Sequence, residues 1–318
     1  MQYETVAQLR NDLKSGKLGG IILWRGASAI DGTPIVVAAN KFDAGSGNEK
    51  TGAMVQTWIL PEPHAAQIEV NGNRPAKINA WLAATGAKSI CGDCPHAWQL
   101  NAETGAHEKG TCYVREYQAP AAVLGAIARG SYAEAGIDFP RAWLAQIGAG
   151  FMIRLGSYGD PAAACPETWA AFVSMAAGRT GYTHGWKSAF HGFRRNAWRM
   201  RDIVMASCDS AADLHAARDA GFRAFYVVPH GAINSRADTR AGAVVSGAML
   251  CPASKEFETH TGRITSCIAC GACSGMGGKG ARMPDVIIPD HGTKRRGNAA
   301  KLAAQCPAAA RMLERMGA

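Results

Sequence analysis

Seven of the ten cysteines fall into two compact groups, Cys91/Cys94/Cys112 and Cys251/Cys267/Cys270/Cys273. Thiolates are soft ligands that suit zinc and iron–sulfur clusters. The later group is a four-ligand set: Cys267-x2-Cys270-x2-Cys273 has the spacing of a cluster-binding triplet, and Cys251-Pro252 supplies a distant fourth sulfur. The same spacing also suits a zinc ribbon, which leaves iron and zinc both open. The earlier group has three cysteines, in which Cys91-x2-Cys94 forms a ligand knuckle and Cys112 follows after 17 intervening residues. His96 or His107 as a fourth ligand would close a structural zinc site, whereas three cysteines alone would leave one iron of a cluster open for chemistry.

Further reactive side chains fall where apolar runs hand over to polar loops: Tyr158-Gly159-Asp160-Pro161, Tyr182-Thr183-His184 and Ser207-Cys208-Asp209. Asp160 and Asp209 are candidate catalytic carboxylates, and His184 is a candidate acid–base group because its ordinary pKa lies near neutrality. Asp160 before Pro161 also fits a helix N-cap, as does the Asp209-Ser210 pair ahead of AADLHAA. The segment GWKSAFHGFRRNAWRMR interleaves Lys187, Arg194, Arg195 and Arg199 with aromatic residues. On a helix, Trp186, Phe190 and Phe193 face inward and the arginines outward, giving a basic face that can grip a phosphate backbone or merely be solvated. The loop Ser46–Gly52 is another place where an anion could be held, although it lacks phosphate-loop spacing.

The positioning elements follow from periodicity. Gly20–Arg25 and Pro34–Asn40 read as a β-hairpin around Asp31-Gly32, and Met54–Leu60 as a further strand. Ala76–Thr85 and Pro120–Ala128 read as helices. From Phe151 onward strands alternate with helices through Val228, and Asp285–Pro289 forms a last strand, which makes about six parallel strands. The expected fold is α/β: a complete or partial (β/α) barrel with parallel strands, an N-terminal β-hairpin and Cys-rich metal-binding insertions. Residues 1–53 form the hairpin region, 54–250 the barrel-like core with the first cysteine loop (91–112), and 251–318 the four-cysteine module with the last strand and helix. The absence of a glycine-rich dinucleotide loop or a Walker motif argues against nucleotide-fold alternatives.

The 318 residues carry a formal charge of +9 and 47% apolar content, enough for a sizeable core and for attraction to polyanions. With no apolar leader or membrane-length run, a cytoplasmic location without membrane contact is expected. Grouped cysteines in that compartment indicate metal rather than disulfides.

As an ordered set, SGNEKTGAMVQTWIL, SICGDCPH, CYV, RLGSYGDPAA, TGYTH, VMAS, CPAS and CxxCxxC resembles a family of phage-borne and bacterial proteins of unassigned activity, from about Ile21 to Gly292. At the level of fold the chain also resembles radical S-adenosylmethionine enzymes, partial α/β barrels in which three cysteines hold a four-iron cluster. That resemblance implies a reactive cluster on Cys91, Cys94 and Cys112, cofactor contact by Gly159 and Asp160, and an auxiliary cluster on Cys251, Cys267, Cys270 and Cys273. It further implies iron–sulfur clusters and S-adenosylmethionine as cofactors, with a nucleic acid or nucleotide as substrate. The family's cysteines lie C-x3-C-x2-C in one loop, unlike the dispersed set here. Two alternatives carry Zn instead. One is similar to base-exchanging transglycosylases that insert deazaguanine bases, with Asp160 and Asp209 as nucleophile and base reader. The other is a zinc-stabilised nucleic-acid-binding protein without catalysis.

Overall fold

The structure is a computed structural model that describes residues 2–43, 49–63, 76–85, 87–228 and 247–290. The C-terminal helix expected within 251–318, and Ser46–Asn48 of the anion-loop candidate, lie outside the described residues. Ten strands make one mixed, mostly parallel sheet. Near the N-terminus, β1 (Gly20–Ala27), β2 (Pro34–Asn40) and β3 (Val55–Pro61) form an antiparallel meander, with Val37 opposite Trp24 and Ile59. A two-stranded ribbon, β4 (Gln99–Leu100) with β5 (His107–Glu108), stands apart, and β6 (Ala133–Glu134) pairs parallel with β1.

The parallel part continues from β3 through β7 (Met152–Tyr158), β8 (Gly178–Thr183), β9 (Met205–Cys208) and β10 (Ala224–Val228). Beyond β10 comes β12 (Asp285–Pro289), with β11 (Ala248–Leu250) at the edge. The hairpin and the run of parallel strands are therefore as the sequence predicts. A complete barrel is not what the described strands form: the sheet is open, ending at β6 and β11. The reason lies in β1 and β2, whose antiparallel ladders extend the sheet past β3, where a closing parallel strand would have to pair.

Alternation along the strands sorts the two faces. Ile153 and Leu155 of β7, with Ala206, Ala224 and Tyr226, point to the face covered by α5 (Leu144–Gly148), α6 (Pro166–Val173), α7 (His191–Arg199) and α8 (Ala211–Asp219). The main core lies here, around the fully buried Trp169, Phe172 and Phe193. Arg154, Thr180, Tyr182, Met205, Phe225 and Val286 share the other face through the parallel registers. That face is covered by the four-cysteine segment, forming a smaller core of Met205, Cys251, Ala253, Ala272, Cys273, Val286 and Ile288. Every residue of β3 is buried, as expected of a strand covered on both sides. Four helices complete the elements used below: α1 (Val6–Lys14), α2 (Ala76–Thr85), α3 (Lys88–Cys91) and α4 (Ala119–Ala128). Among the described residues no helix is long and apolar enough to cross a membrane.

Candidate metal centres

The three-cysteine loop gathers at the carboxyl ends of β3, β7 and β8. Cys91 is the last residue of α3, which packs against β3 and is held to the end of β7 by the Asp160 N–H donating to the Ile90 carbonyl at 2.7 Å. Gly92 then turns the chain with φ of 60°, and a Cβ there would lie 2.6 Å from the Phe193 ring of α7, so only glycine fits. The 17-residue gap to Cys112 is taken up by the β4–β5 ribbon, which doubles the chain back until the Cys112 N–H donates to the His96 carbonyl at 2.9 Å. Cys91, Cys94 and Cys112 thus become electrostatic neighbours of one another.

Their surroundings hold both signs of charge, Asp160 and Glu116 with Lys109 ion-paired to Glu116. Burial pushes the Cys91 thiol well above its ordinary range, and Cys94, Cys112, Asp160 and Glu116 push it further. Cys112 is pushed up to about 11, mainly by burial. The Tyr158 hydroxyl, beside Cys91, Glu116 and Cys112, is buried with no hydrogen-bond partner among the described residues. Such an orphaned donor marks a place where a group with acceptor atoms fits.

Asp160 is buried and caps the short 3-10 turn Pro161–Ala163: one oxygen accepts from the Ala162 N–H at 2.9 Å, the other from the His184 N–H at 2.7 Å. The capping expectation holds, and the same carboxylate clamps the end of β7 to the end of β8. Gly159 has φ of 77°, and a Cβ on it would meet the Ile59 carbonyl at 2.6 Å. The chain just past β7 thus lies close against β3. The cap ahead of α8 is Ser210, whose hydroxyl accepts from the Asp213 N–H, and not Asp209.

Asp209 instead turns toward the cysteine loop. Its Oδ1 lies 3.0 Å from His96 Nε2 and 3.2 Å from His184 Nε2, and its Oδ2 accepts from Lys187 Nζ at 2.9 Å. Burial opposes ionisation of Asp209, but His184, His96 and Lys187 outweigh it and hold the carboxyl far below the usual range. Burial likewise disfavours charge on His184, yet Cys94 and Asp209, both within hydrogen-bonding reach, raise it well above its ordinary value. Both ring nitrogens of His96 are engaged, by Asp209 and by Thr111 Oγ1 at 2.8 Å, so His96 faces the carboxylate and not the cysteines. His107 stands on β5, and His184 lies within hydrogen-bonding reach of Cys94.

The four-cysteine set has a different environment. Ser266 caps the single turn α10 that carries Cys267 and Cys270, preceded by α9 (Lys255–Thr261), and the Cys267 N–H donates to the Lys50 carbonyl at 2.9 Å. Cys251 is anchored through its N–H to Ile287 of β12, and the Cys273 carbonyl accepts from the Gly181 N–H of β8. The four cysteines line a cavity of about 40 Å³ with Lys50, Tyr182 and Phe225 among its walls. Burial pushes Cys273 up to about 12, although a hydrogen bond from Tyr182 opposes it. Burial and Cys251 raise Cys267, opposed in part by Lys50 and Arg154, and Arg223 lies close to Cys273 and Cys270. Lys50, from the loop expected to hold an anion, therefore faces the thiols.

Around one zinc ion, sulfurs at ~2.3 Å stand about 3.8 Å apart. In neither cysteine set do three sulfurs lie within 4.8 Å of one another; His96, His184 and Asp209 are the one such ligand group among the described residues. Of the basic residues, Lys187 is withdrawn into ion pairs with Asp209 and Asp213, and Arg199 pairs with Glu167. Arg194 and Arg195 remain exposed on α7. Tyr158, Glu116 and Thr111 escape sequence reasoning; of these only Tyr158 carried a signal, its place in the Tyr158–Pro161 motif. No family model, curated protein or solved structure matches the chain.

Proposed function

We propose that this chain is an iron–sulfur enzyme of the radical S-adenosylmethionine kind that modifies a nucleic acid or nucleotide. The observation that carries the reading is the meeting of Cys91, Cys94 and Cys112 around the orphaned Tyr158 hydroxyl, at the carboxyl ends of neighbouring parallel strands. The strand order supports it. From β3 to β10 neighbours follow chain order, with β12 next, a progression compatible with a partial barrel, although β6 and β11 lie out of chain order at the edges. The cysteine loop follows the first strand of that series and Tyr158–Pro161 the second, the order the resembling enzymes use.

The Cys267-x2-Cys270-x2-Cys273 spacing, with Cys251 as a fourth sulfur, supports a cluster in the later set. Cys91, Cys94 and Cys112 would hold the reactive one, and Cys251, Cys267, Cys270 and Cys273 the auxiliary one. A cluster held by three cysteines supplies single electrons and an open iron for a chelating cofactor. The protein's own contribution is positional. Asp160, with both oxygens bonded to main-chain N–H groups, braces β7 against β8, a role it fits better than attack on an anomeric carbon. Tyr158 offers a hydrogen bond toward the sulfur-rich pocket, and Gly159 allows the close approach to β3. A polyanionic substrate is favoured by the charge of +9 and by Arg194 and Arg195 on α7, the helix whose lead-in is joined to the cysteine loop by the Ala189 N–H to Asp93 bond.

Anaerobic purification followed by iron, zinc and acid-labile sulfide analysis tests this reading. Iron and sulfide for two clusters are expected, together with formation of 5′-deoxyadenosine from S-adenosylmethionine under reduction. A colourless protein containing zinc and no sulfide would sink it.

A further inference from the structure

We propose that His96, His184 and Asp209 form a third metal centre, binding one divalent first-row transition-metal ion through nitrogen and oxygen, distinct from both cysteine sites. The three side chains come from separate elements: His96 from the first cysteine loop, His184 from the end of β8 and Asp209 from the end of β9. Their ligand atoms all lie within 4.8 Å of one another, and the two histidine Nε2 atoms stand 3.0 and 3.2 Å from the same carboxylate oxygen. Ligands ~2.1 Å from a common ion sit about 3.0 Å apart at a right angle and about 3.4 Å apart at the tetrahedral angle. The two histidine–carboxylate spacings fall in that window, and the two imidazole nitrogens lie within 4.8 Å of each other.

With no ion, both imidazoles present an N–H to one oxygen, and the Thr111 hydroxyl donates to His96 Nδ1. With an ion, the two Nε2 lone pairs and Asp209 Oδ1 converge on it, and His96 Nδ1–H donates to Thr111 Oγ1, the usual way an outer residue fixes a metal-bound imidazole. Lys187 holds the other Asp209 oxygen and is itself held by Asp213, so the carboxylate is oriented from behind. Asp209, Asp213 and Lys187 sum to one negative charge, and two neutral imidazoles complete a set suited to a dication. Two histidines and one carboxylate leave coordination positions open, the arrangement of catalytic rather than structural sites. His96 and His184 keep 23% and 16% side-chain exposure, enough for water or a substrate oxygen to reach the ion. The neighbouring Cys94 puts this centre at the rim of the three-cysteine site.

The test uses the intact, anaerobically purified chain, dialysed against EDTA and titrated with Co(II). One equivalent should bind with visible ligand-field bands and without the near-ultraviolet charge-transfer band of a cobalt thiolate. His96→Ala and Asp209→Asn should each weaken that binding by about 100-fold, and Thr111→Val, which keeps the shape but loses the bond to His96, by roughly 10-fold. The Cys91/Cys94/Cys112→Ser variant should retain it. Absence of a nitrogen–oxygen cobalt site in the intact chain, a thiolate band in its place, or unchanged cobalt binding in both His96→Ala and Thr111→Val would overturn the proposal. Iron and sulfide content of the same samples reports the cysteine sites separately, so the failure of one reading is distinguishable from the failure of the other.

Discussion

The two cysteine regions use the same side chain in electrostatic settings of different balance. The four-cysteine segment lies over one face of the sheet, with Cys251 and Cys273 buried and the cations Lys50, Arg154 and Arg223 close by. The three-cysteine loop lies at the carboxyl ends of the strands, is partly exposed, and is bordered by Asp160 and Glu116. Cations offset the negative charge of a thiolate site, whereas carboxylates add to it. The four-cysteine segment shares a small core with β8, β9, β10 and β12. The three-cysteine loop has carboxylates on its border, one of them paired with Lys109. Arg154 stands between them: it donates to the Tyr113 hydroxyl, next to Cys112, and reaches the field of Cys267.

Loss of the four-cysteine site should have the largest effect. Cys273→Ala removes a ligand from a core of seven buried residues and should lower stability by on the order of 3 kcal/mol or more, with loss of the auxiliary metal; denaturant unfolding measures this. If the variant melted like the parent chain, the module would be an appendage and the contrast would collapse. The triple change Cys91/Cys94/Cys112→Ala should do the reverse. Activity should vanish while the thermal midpoint moves by only a few degrees, because these side chains contribute little to the main core.

A smaller effect is expected from Gly92→Ala, which combines a left-handed φ with a clash against Phe193. It should cost about 1–3 kcal/mol and lower metal occupancy in the three-cysteine set alone, read by iron analysis in a background lacking the other set. The charge contrast itself is checked by redox titration. The cluster bordered by Asp160 and Glu116 should reduce at a lower potential than the one surrounded by Lys50, Arg154 and Arg223, and the order should be assigned from the single-site variants. Smallest is the basic helix. Arg194→Ala with Arg195→Ala should weaken nucleic-acid binding and reduce its salt slope by about 2, a change visible in binding isotherms at several ionic strengths.

Much of the frame was legible from periodicity. The hairpin, the helix Ala76–Thr85 and the strand Asp285–Pro289 stand where apolar alternation and β-branched runs put them, because those patterns follow from local burial. The edges were not. β6 and β11 are two and three residues long and exist only through pairing with distant partners, so no local pattern announces them. That is also why a closed barrel could be expected from strands that leave the sheet open.

Residue types alone establish which side chains are on hand: two cysteine groups, and acids and a histidine at strand ends. Side-chain chemistry is a property of residue type and survives without a fold. Which of these side chains meet depends on the fold. Cys112 returns to Cys91 and Cys94 because the β4–β5 ribbon reverses the chain. Lys187 leaves the basic face because Asp209 and Asp213 claim it from the next strand and helix. His96, proposed as a partner for sulfur, turns to Asp209, 113 residues away. Such contacts depend on parallel strands placing the ends of remote segments side by side, and spacing along a chain does not encode that distance.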